Sequence, residues 1–442
     1  MDFKIGFMKK ILQYFIDLIM GRHIILRRFT QVFAVDVVTK LIGFILLPVY
    51  LRLMSQNEYG VFGYFLGFVN TFGSLFNLGL YVAQTKLYHD YQKQSRESLL
   101  FTLNVLLYAY IGIAFALIYI FRIDYILIKV LFSHPIHYDS YRSSFFLGIL
   151  MNVMTTMLFN YFITAEKIRL IQIYNLMRII VDNAVIILLL VTLPGDKALI
   201  RLNAYFILEL VITAGMGLFY LQEMRPEFSW KQARHAMKIG LPIAAGGIIS
   251  LVYNFSDRFI LEKVAQFSYM AIYNLGLTIA GIIGMVFSTF HNIWLPLFFK
   301  EKDLKANYRK TNKATLVLAG MFVVLGMGLW ITVALLLRFS IIRSEYNQVL
   351  ILLPILMAGQ IAQSVTFLYN NYMTYFEKVY IATAMSVFSS ILILVFNILL
   401  IPRWKMFGAA FSLFFTAAIY FLVYFSLVRV MLYRRLNNPG TS

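Results

Sequence analysis

Runs of about 20 apolar residues recur along this chain with short polar connections between them, and that recurrence constrains the fold more than any other feature. A helix needs about 20 such residues to cross the hydrocarbon core of a bilayer. Twelve segments qualify, beginning with 29 to 51 and ending with 407 to 428. Composition agrees, since 61% of the 442 residues are hydrophobic and 13% charged, whereas a soluble chain this long splits into domains joined by polar linkers. The expected fold is an all-α polytopic membrane protein. The longest connection, 122 to 142, is too short to fold as a catalytic domain.

Lys and Arg outnumber Asp and Glu by 39 to 20, a net charge of +19. In a soluble domain such a surplus would suggest nucleic acid. Here the cations fall largely between apolar runs, where they meet anionic lipid head groups, so the expected partner is the membrane surface and not nucleic acid. Their weight lies on the N-terminus, the even-numbered connections and the C-terminus, above all before the first span and at 300 to 313. This predicts a multi-pass protein of the cytoplasmic membrane with both termini cytoplasmic.

Residues 1 to 28 read differently. Ile5, Met8, Leu12, Phe15 and Ile19 repeat at helical spacing opposite Lys4, Lys9, Gln13 and Asp17, and the segment ends in Arg22, Arg27 and Arg28. Its apolar core is too short to span, so the expectation is a cytoplasmic amphipathic helix lying in the interface. Cysteine is absent, which excludes a disulfide framework, a thiolate nucleophile and Cys-ligated metal. A phosphate-binding G-x-x-x-x-G-K-[ST] loop is absent as well, so ATP hydrolysis by this chain is not expected. His134 and His137 with Asp139 offer metal too few ligands. No metal or other cofactor is expected.

A weak repeat runs through the chain at a separation near 210 residues. Leu51 to Phe65 aligns with Leu261 to Leu275, Glu166-Lys167 with Glu377-Lys378, and Leu193-Pro194 with Ile401-Pro402. Each half then carries six spans, an N-terminal lobe at 29 to 221 and a C-terminal lobe at 239 to 428. A cytoplasmic linker, 222 to 238, joins them, and a cytoplasmic tail, 429 to 442, follows. With an even number of spans both halves enter from the same side, the parallel-repeat architecture of many secondary transporters, with a central cavity.

Ionisable side chains inside spans each cost roughly 2.5 to 3.5 kcal/mol at a helix centre, so each asks for a partner or a wet cavity. Asp36 and Lys40 lie four apart on span 1, and Arg178 and Asp182 four apart on span 5, each pair on one helix face. Asp257 and Arg258 are adjacent near the outer end of span 7, Glu209 is mid-span on 6, and His291 lies within span 8. One reading of the spaced pairs is an intrahelical ion pair with no ligand. The other is functional: Lys40, Arg178 and Arg258 face a cavity and bind an anion, while Asp36, Asp182, Glu209, Asp257 and His291 are candidates for exchanging a coupling H⁺ or Na⁺. For Arg258, snorkelling to the surface competes with function; for His291, a hydrogen-bonded interior role does. Gly43 with Pro48 on span 1, and Pro242 with Gly246-Gly247 on span 7, interrupt equivalent helices of the two halves, a pointer to moving parts.

Several motifs together give the chain a family likeness. They are Leu53 to Phe62 at the span 1 to 2 junction, Leu78-Gly79-Leu80, Gly240-Leu-Pro242, Ser256 to Leu261, Ile272-Tyr273, Trp294-Leu-Pro296, and Leu400-Ile401-Pro402 followed by Gly408-Ala409-Ala410. In their order and spacing the chain resembles the polysaccharide transporter, or oligosaccharide-lipid flippase, family, in the superfamily that also holds multidrug and toxin extrusion antiporters. The resemblance implies two six-helix lobes facing each other across a cavity lined by the first two helices of each. It also implies transport of a lipid-diphosphate-linked oligosaccharide by alternating access, with polysaccharide assembly proteins as partners. The chain departs from the family pattern in offering almost no arginine on spans 2 and 8.

The expected function is therefore that of a secondary flippase, not an enzyme. A cation-coupled multidrug antiporter on the same fold would want a cavity dominated by carboxylates, whereas acids and bases nearly balance here. A membrane polymerase or glycosyltransferase would want a larger outer loop with paired acids than 122 to 142 provides.

Overall fold

The computed structural model describes residues 42 to 134 and 136 to 437. The amphipathic helix expected at 1 to 28, and Asp36 and Lys40, lie outside them. Among the described residues the chain is helical with no strand. In order the helices are α1 (Ile42–Leu53), α2 (Gln56–Phe76), α3 (Leu80–Asp90), α4 (Lys93–Ile120), α5 (Ile123–Leu131), α6 (Tyr138–Thr164) and α7 (Ile168–Thr192). They continue as α8 (Lys197–Leu221), α9 (Trp230–Val264), α10 (Phe267–Lys300), α11 (Leu304–Arg338), α12 (Val349–Tyr375) and α13 (Val379–Asn437).

Each expected span falls on one of these helices, to within two residues wherever it is described. Span 2 is split between α2 and α3, which meet at a 45° bend. The cause is local: Leu78 and Gly79 both have positive φ, 48° and 63°, which breaks the hydrogen-bond ladder. Spans 11 and 12 are the two halves of α13, separated by non-helical backbone at Lys405. The expected interruption of span 7 does not occur, because α9 runs through Pro242 without a break. Neighbouring helices and small local adjustments let membrane helices carry an internal proline in this way. The connection 122 to 142 is itself partly helical, holding α5.

The repeat is written in the backbone more plainly than in the side chains. Glu166 and Glu377 have φ of 54° and 58° at an offset of 211, and Gly195 and Lys405 have φ of 111° and 50° at an offset of 210. Arg122 and Ser340, at 50° and 54°, follow α4 and α11 at a larger offset of 218. Left-handed backbone is uncommon outside glycine, so its recurrence at equivalent junctions marks two copies of one helical unit. The two lobes and their parallel relation are thus visible directly.

The lobes meet most tightly at the end that carries the α1–α2, α5–α6, α9–α10 and α11–α12 junctions. There α2 opens with a capping box, in which the Ser55 hydroxyl accepts from the Glu58 N–H at 3.2 Å and the Glu58 carboxylate accepts from the Ser55 N–H at 2.7 Å. That fixes the entry of α2 so that its glycine face packs on α10. A Cβ on Gly60 would lie 2.0 Å from the Phe267 carbonyl oxygen, and one on Gly63 would lie 2.3 Å from the Asn274 amide. Toward the other end the same helices present polar side chains to solvent-accessible space: Asn70 and Ser74 on α2, Ser250 and Asn254 on α9. The helix α9 divides its packing. Its first half lies on α3, where Gly79 and Gly240 approach backbone to backbone. Its second half lies on α13, where Ser390 and Asn397 donate to the Ile249 carbonyl and the Ser256 hydroxyl at 3.3 and 2.9 Å.

Candidate functional site

Arg258 enters the seam between the lobes. Its Nε donates to Asn274 Oδ1 on α10 at 3.3 Å, another guanidinium N–H donates to the Asn254 carbonyl at 3.0 Å, and its stem lies against Gly67 of α2. A side chain at Gly67 would meet that stem at 3.2 Å, so the missing Cβ is what admits the arginine. Asp257 does not neutralise it: one carboxylate oxygen accepts from the Tyr273 hydroxyl at 2.5 Å and the other from the Arg258 backbone N–H at 2.7 Å. Among the described residues the Arg258 guanidinium has no carboxylate partner. The guanidinium is half-buried, with one hydrogen bond inside the seam and one exposed.

Arg178 and Asp182 lie at the two ends of a π-helical turn inside α7. The expected pairing between them is not formed. Arg178 Nε instead makes an ion pair at 2.9 Å with Glu209 of α8, and a second N–H donates to the Tyr205 hydroxyl at 3.0 Å. Glu209 is buried and also accepts from the Tyr174 hydroxyl at 2.6 Å. A buried carboxylate is costly unless it is both paired and hydrogen-bonded, and Glu209 obtains both from α7. The wider π turn alters the angular spacing that an α-helix would give residues four apart. Asp182 is buried, and among the described residues its Oδ1 has no hydrogen-bond partner.

His291 is turned to α12, where Nε2 lies 3.2 Å from Asn371 Oδ1 and the ring packs on Phe287 and Phe367. That is the interior hydrogen-bonded role. His134 contacts Glu262: the buried Glu262 carboxylate accepts from the Ser133 and His134 N–H groups at 2.7 and 3.0 Å and lies 3.2 Å from His134 Nδ1. Asp139 accepts from the Tyr125 hydroxyl.

Two residues that the sequence did not single out organise the tightly packed end. Glu262 is one, clasping the α5–α6 junction of one lobe from α9, while the adjacent Lys263 donates to the Val130 carbonyl at 2.5 Å. The other is Arg201, one turn into α8, whose guanidinium lies 3.8 Å and 3.9 Å from the ring centres of Tyr50 and Phe62. Arg52 and Arg343 add a reciprocal link: Arg52 donates to the Ser340 and Ile341 carbonyls at 2.7 and 3.0 Å, and Arg343 donates to the Arg52 carbonyl at 2.8 Å. Beside these contacts opens a vestibule of about 780 Å³ with a mostly apolar lining that includes Val61, Ile136, Leu199 and Phe267, interspersed with Gln56, Asn57, Ser140 and Gln266. Chemically, the arrangement combines close lobe-to-lobe contact at one end, an arginine in the seam with no carboxylate partner among the described residues, and an acid–base pair between α7 and α8.

The fold has solved relatives. A lipid II flippase, MurJ, in an inward closed conformation is 13% identical, with a TM-score of 0.69 over 93% of this chain and 94% of that one. An inward-facing multidrug resistance MATE family transporter of the MOP superfamily is 11% identical, with a TM-score of 0.64 over 98% and 99%. The Vibrio cholerae MATE transporter VcmN, in a mutant form, is 14% identical, with a TM-score of 0.61 over 92% and 96%. At these identities the likeness is one of fold: an all-helical architecture of two lobes. No curated protein sequence matches the chain significantly. The profile of a family described as polysaccharide biosynthesis protein matches residues 25–302, more than half of the length, and the chain belongs to that family.

Proposed function

We propose that this membrane transporter is a secondary flippase that moves a lipid-diphosphate-linked oligosaccharide across the cytoplasmic membrane by alternating access of the lobes at 29 to 221 and 239 to 428. The observation that carries the reading is Arg258, a cation without a carboxylate partner among the described residues, held in the inter-lobe seam beside Gly67. A diphosphate is the chemistry that such a cation stabilises, and Lys40 on span 1 is assigned to the same anion. The tightly packed end is then the outer one, and both termini are cytoplasmic. Arg178 reaches substrate by leaving Glu209, which ties Arg178, Asp182 and Glu209 to coupling by H⁺ or Na⁺. Asp36 is assigned the same role on span 1.

A drug antiporter on this fold needs open carboxylates for cationic cargo, whereas Glu209 and Asp257 are both engaged by neighbours. The test uses the full chain in liposomes with a short-chain polyprenyl-diphosphate sugar, scored by access of an external glycosidase. Translocation should occur without ATP and fall on Arg258→Ala and on Lys40→Ala, with partial recovery in Arg258→Lys. Efflux of cationic dyes with no movement of the lipid-linked sugar would overturn the assignment.

A further inference from the structure

The flippase reading leaves the chemistry of the sugar head open, and the walls of the pathway speak to it. Asn70 and Ser74 on α2, Ser250 and Asn254 on α9, and Ser288 and Asn292 on α10 are all exposed within spans. On α10 the positions from Asn274 to Asn292 that share this face recur every three or four residues, so one stripe runs from the Arg258 contact to the open end. On α9, Ser250, Asn254 and Arg258 likewise recur every four, and an Asn254 amide N–H donates to the Ser250 hydroxyl at 2.9 Å. Exposed amides and hydroxyls at this depth are tolerated where they line a wet cavity. Lys, Arg, Asp and Glu are absent from 59 to 79, from 239 to 256 and from 267 to 299. The titratable group within these stretches, apart from tyrosines, is His291, which faces Asn371 on α12.

Resting on the flippase reading, we infer that these six residues form the sugar-binding groove and that the cargo's sugars are uncharged, recognised through hydroxyl and N-acetyl groups. Serine and asparagine supply donors and acceptors in the mixed pattern such groups require. With Arg178 paired to Glu209, Lys40 and Arg258 are the other two cations assigned to substrate and match the two charges of a diphosphate diester, and the groove itself adds none for a sugar acid. A carboxylate placed along Ser250 and Asn254 would be desolvated among neutral dipoles without a counter-charge. Specificity then comes from what the groove omits as much as from what it offers.

The test compares two short-chain polyprenyl diphosphates in liposomes holding the full chain, one bearing a neutral N-acetylated disaccharide and one the same disaccharide with a hexuronic acid. The neutral lipid should be translocated at least about tenfold faster. Ser250→Arg, or Asn70→Arg should the first variant fold poorly, should shift the acidic-to-neutral ratio at least about tenfold toward the acidic lipid. Equal rates for the two lipids in the wild type would overturn the inference while leaving the flippase reading intact. A shift in neither variant would equally remove the groove from these residues. Translocation of neither lipid would sink both readings.

Discussion

Replacing Gly60 by alanine should open the sealed end of the pathway. The added Cβ would sit 2.0 Å from the Phe267 backbone carbonyl oxygen, where real contacts stay beyond 3.0 Å, so α2 and α10 must part by about 1 Å. Phe267 begins α10 and the contact is with backbone, so no side-chain rotation relieves it. Overpacking of this kind costs about 1 to 3 kcal/mol. Because α2 stays helical whether the lobes are together or apart, alanine's better helix propensity cancels between the two states. The full cost therefore falls on the closed arrangement, shifting its equilibrium about 5- to 150-fold toward the open one. The cysteine-free chain suits a spin-label measurement, with labels on cysteines placed at the exposed Ser140 and Ser344, one in each lobe. A longer-distance population should appear in Gly60→Ala and not in Gly112→Ala, whose Cβ would meet nothing within 4 Å. A distance distribution identical to wild type in a folded Gly60→Ala protein would refute the reasoning.

Three further outcomes are expected. Breaking the pair of half-buried Arg178 and buried Glu209 with Arg178→Met or Glu209→Leu alone should lower stability by about 1 to 3 kcal/mol, read as thermal unfolding in detergent, and the double change should recover most of it; equal losses in all three would contradict the pairing. Cysteines at Ser140 and Ser344 should react with an impermeant maleimide added outside intact cells, while ones at Ser95 and Lys305 should not, and the reverse pattern would invert the orientation. Glu262→Ala removes the acceptor of the Ser133 and His134 N–H groups and should make a cysteine at Ser268 more reactive from outside, whereas protection as in wild type would deny Glu262 a part in closure.

The helices were legible because membrane crossing imposes length and apolarity on every span at once, and a 210-residue offset survived in a handful of side chains. The site was legible only as a set of residues. Intramembrane cost singled out Arg178, Glu209, Asp257 and Arg258 as ionisable groups asking for a partner or a wet cavity, but spacing along one helix pointed Arg178 to Asp182. The partner lies 31 residues on, across a helix pair that periodicity does not register. Glu262 and Arg201 escaped for a related reason: at span ends a charge is cheap, so the contact of Glu262 across the lobes and that of Arg201 with Tyr50 and Phe62 leave no trace in hydropathy. Gly60, Gly63 and Gly67 read as common membrane glycines. Their meaning depends on Phe267, Asn274 and Arg258 from the other half of the chain.

The split packing of α9 sets where motion has to occur. A single helix whose first half is fastened to α3 of the N-terminal lobe, and whose second half lies between α13 and the N-terminal-lobe contacts of Arg258, Glu262 and Lys263, is a beam bolted to two walls. When the lobes rock, the bend has to be taken up between the Gly240 contact with Gly79 and the Ile249 contact with Ser390. That interval contains Pro242, which removes one backbone N–H from the ladder, and Gly246, which has nothing within 4 Å of its missing side chain. If the lobes rock as proposed, stiffening those few residues should slow the cycle while leaving the contacts of Arg258, Glu209 and Glu262 in place.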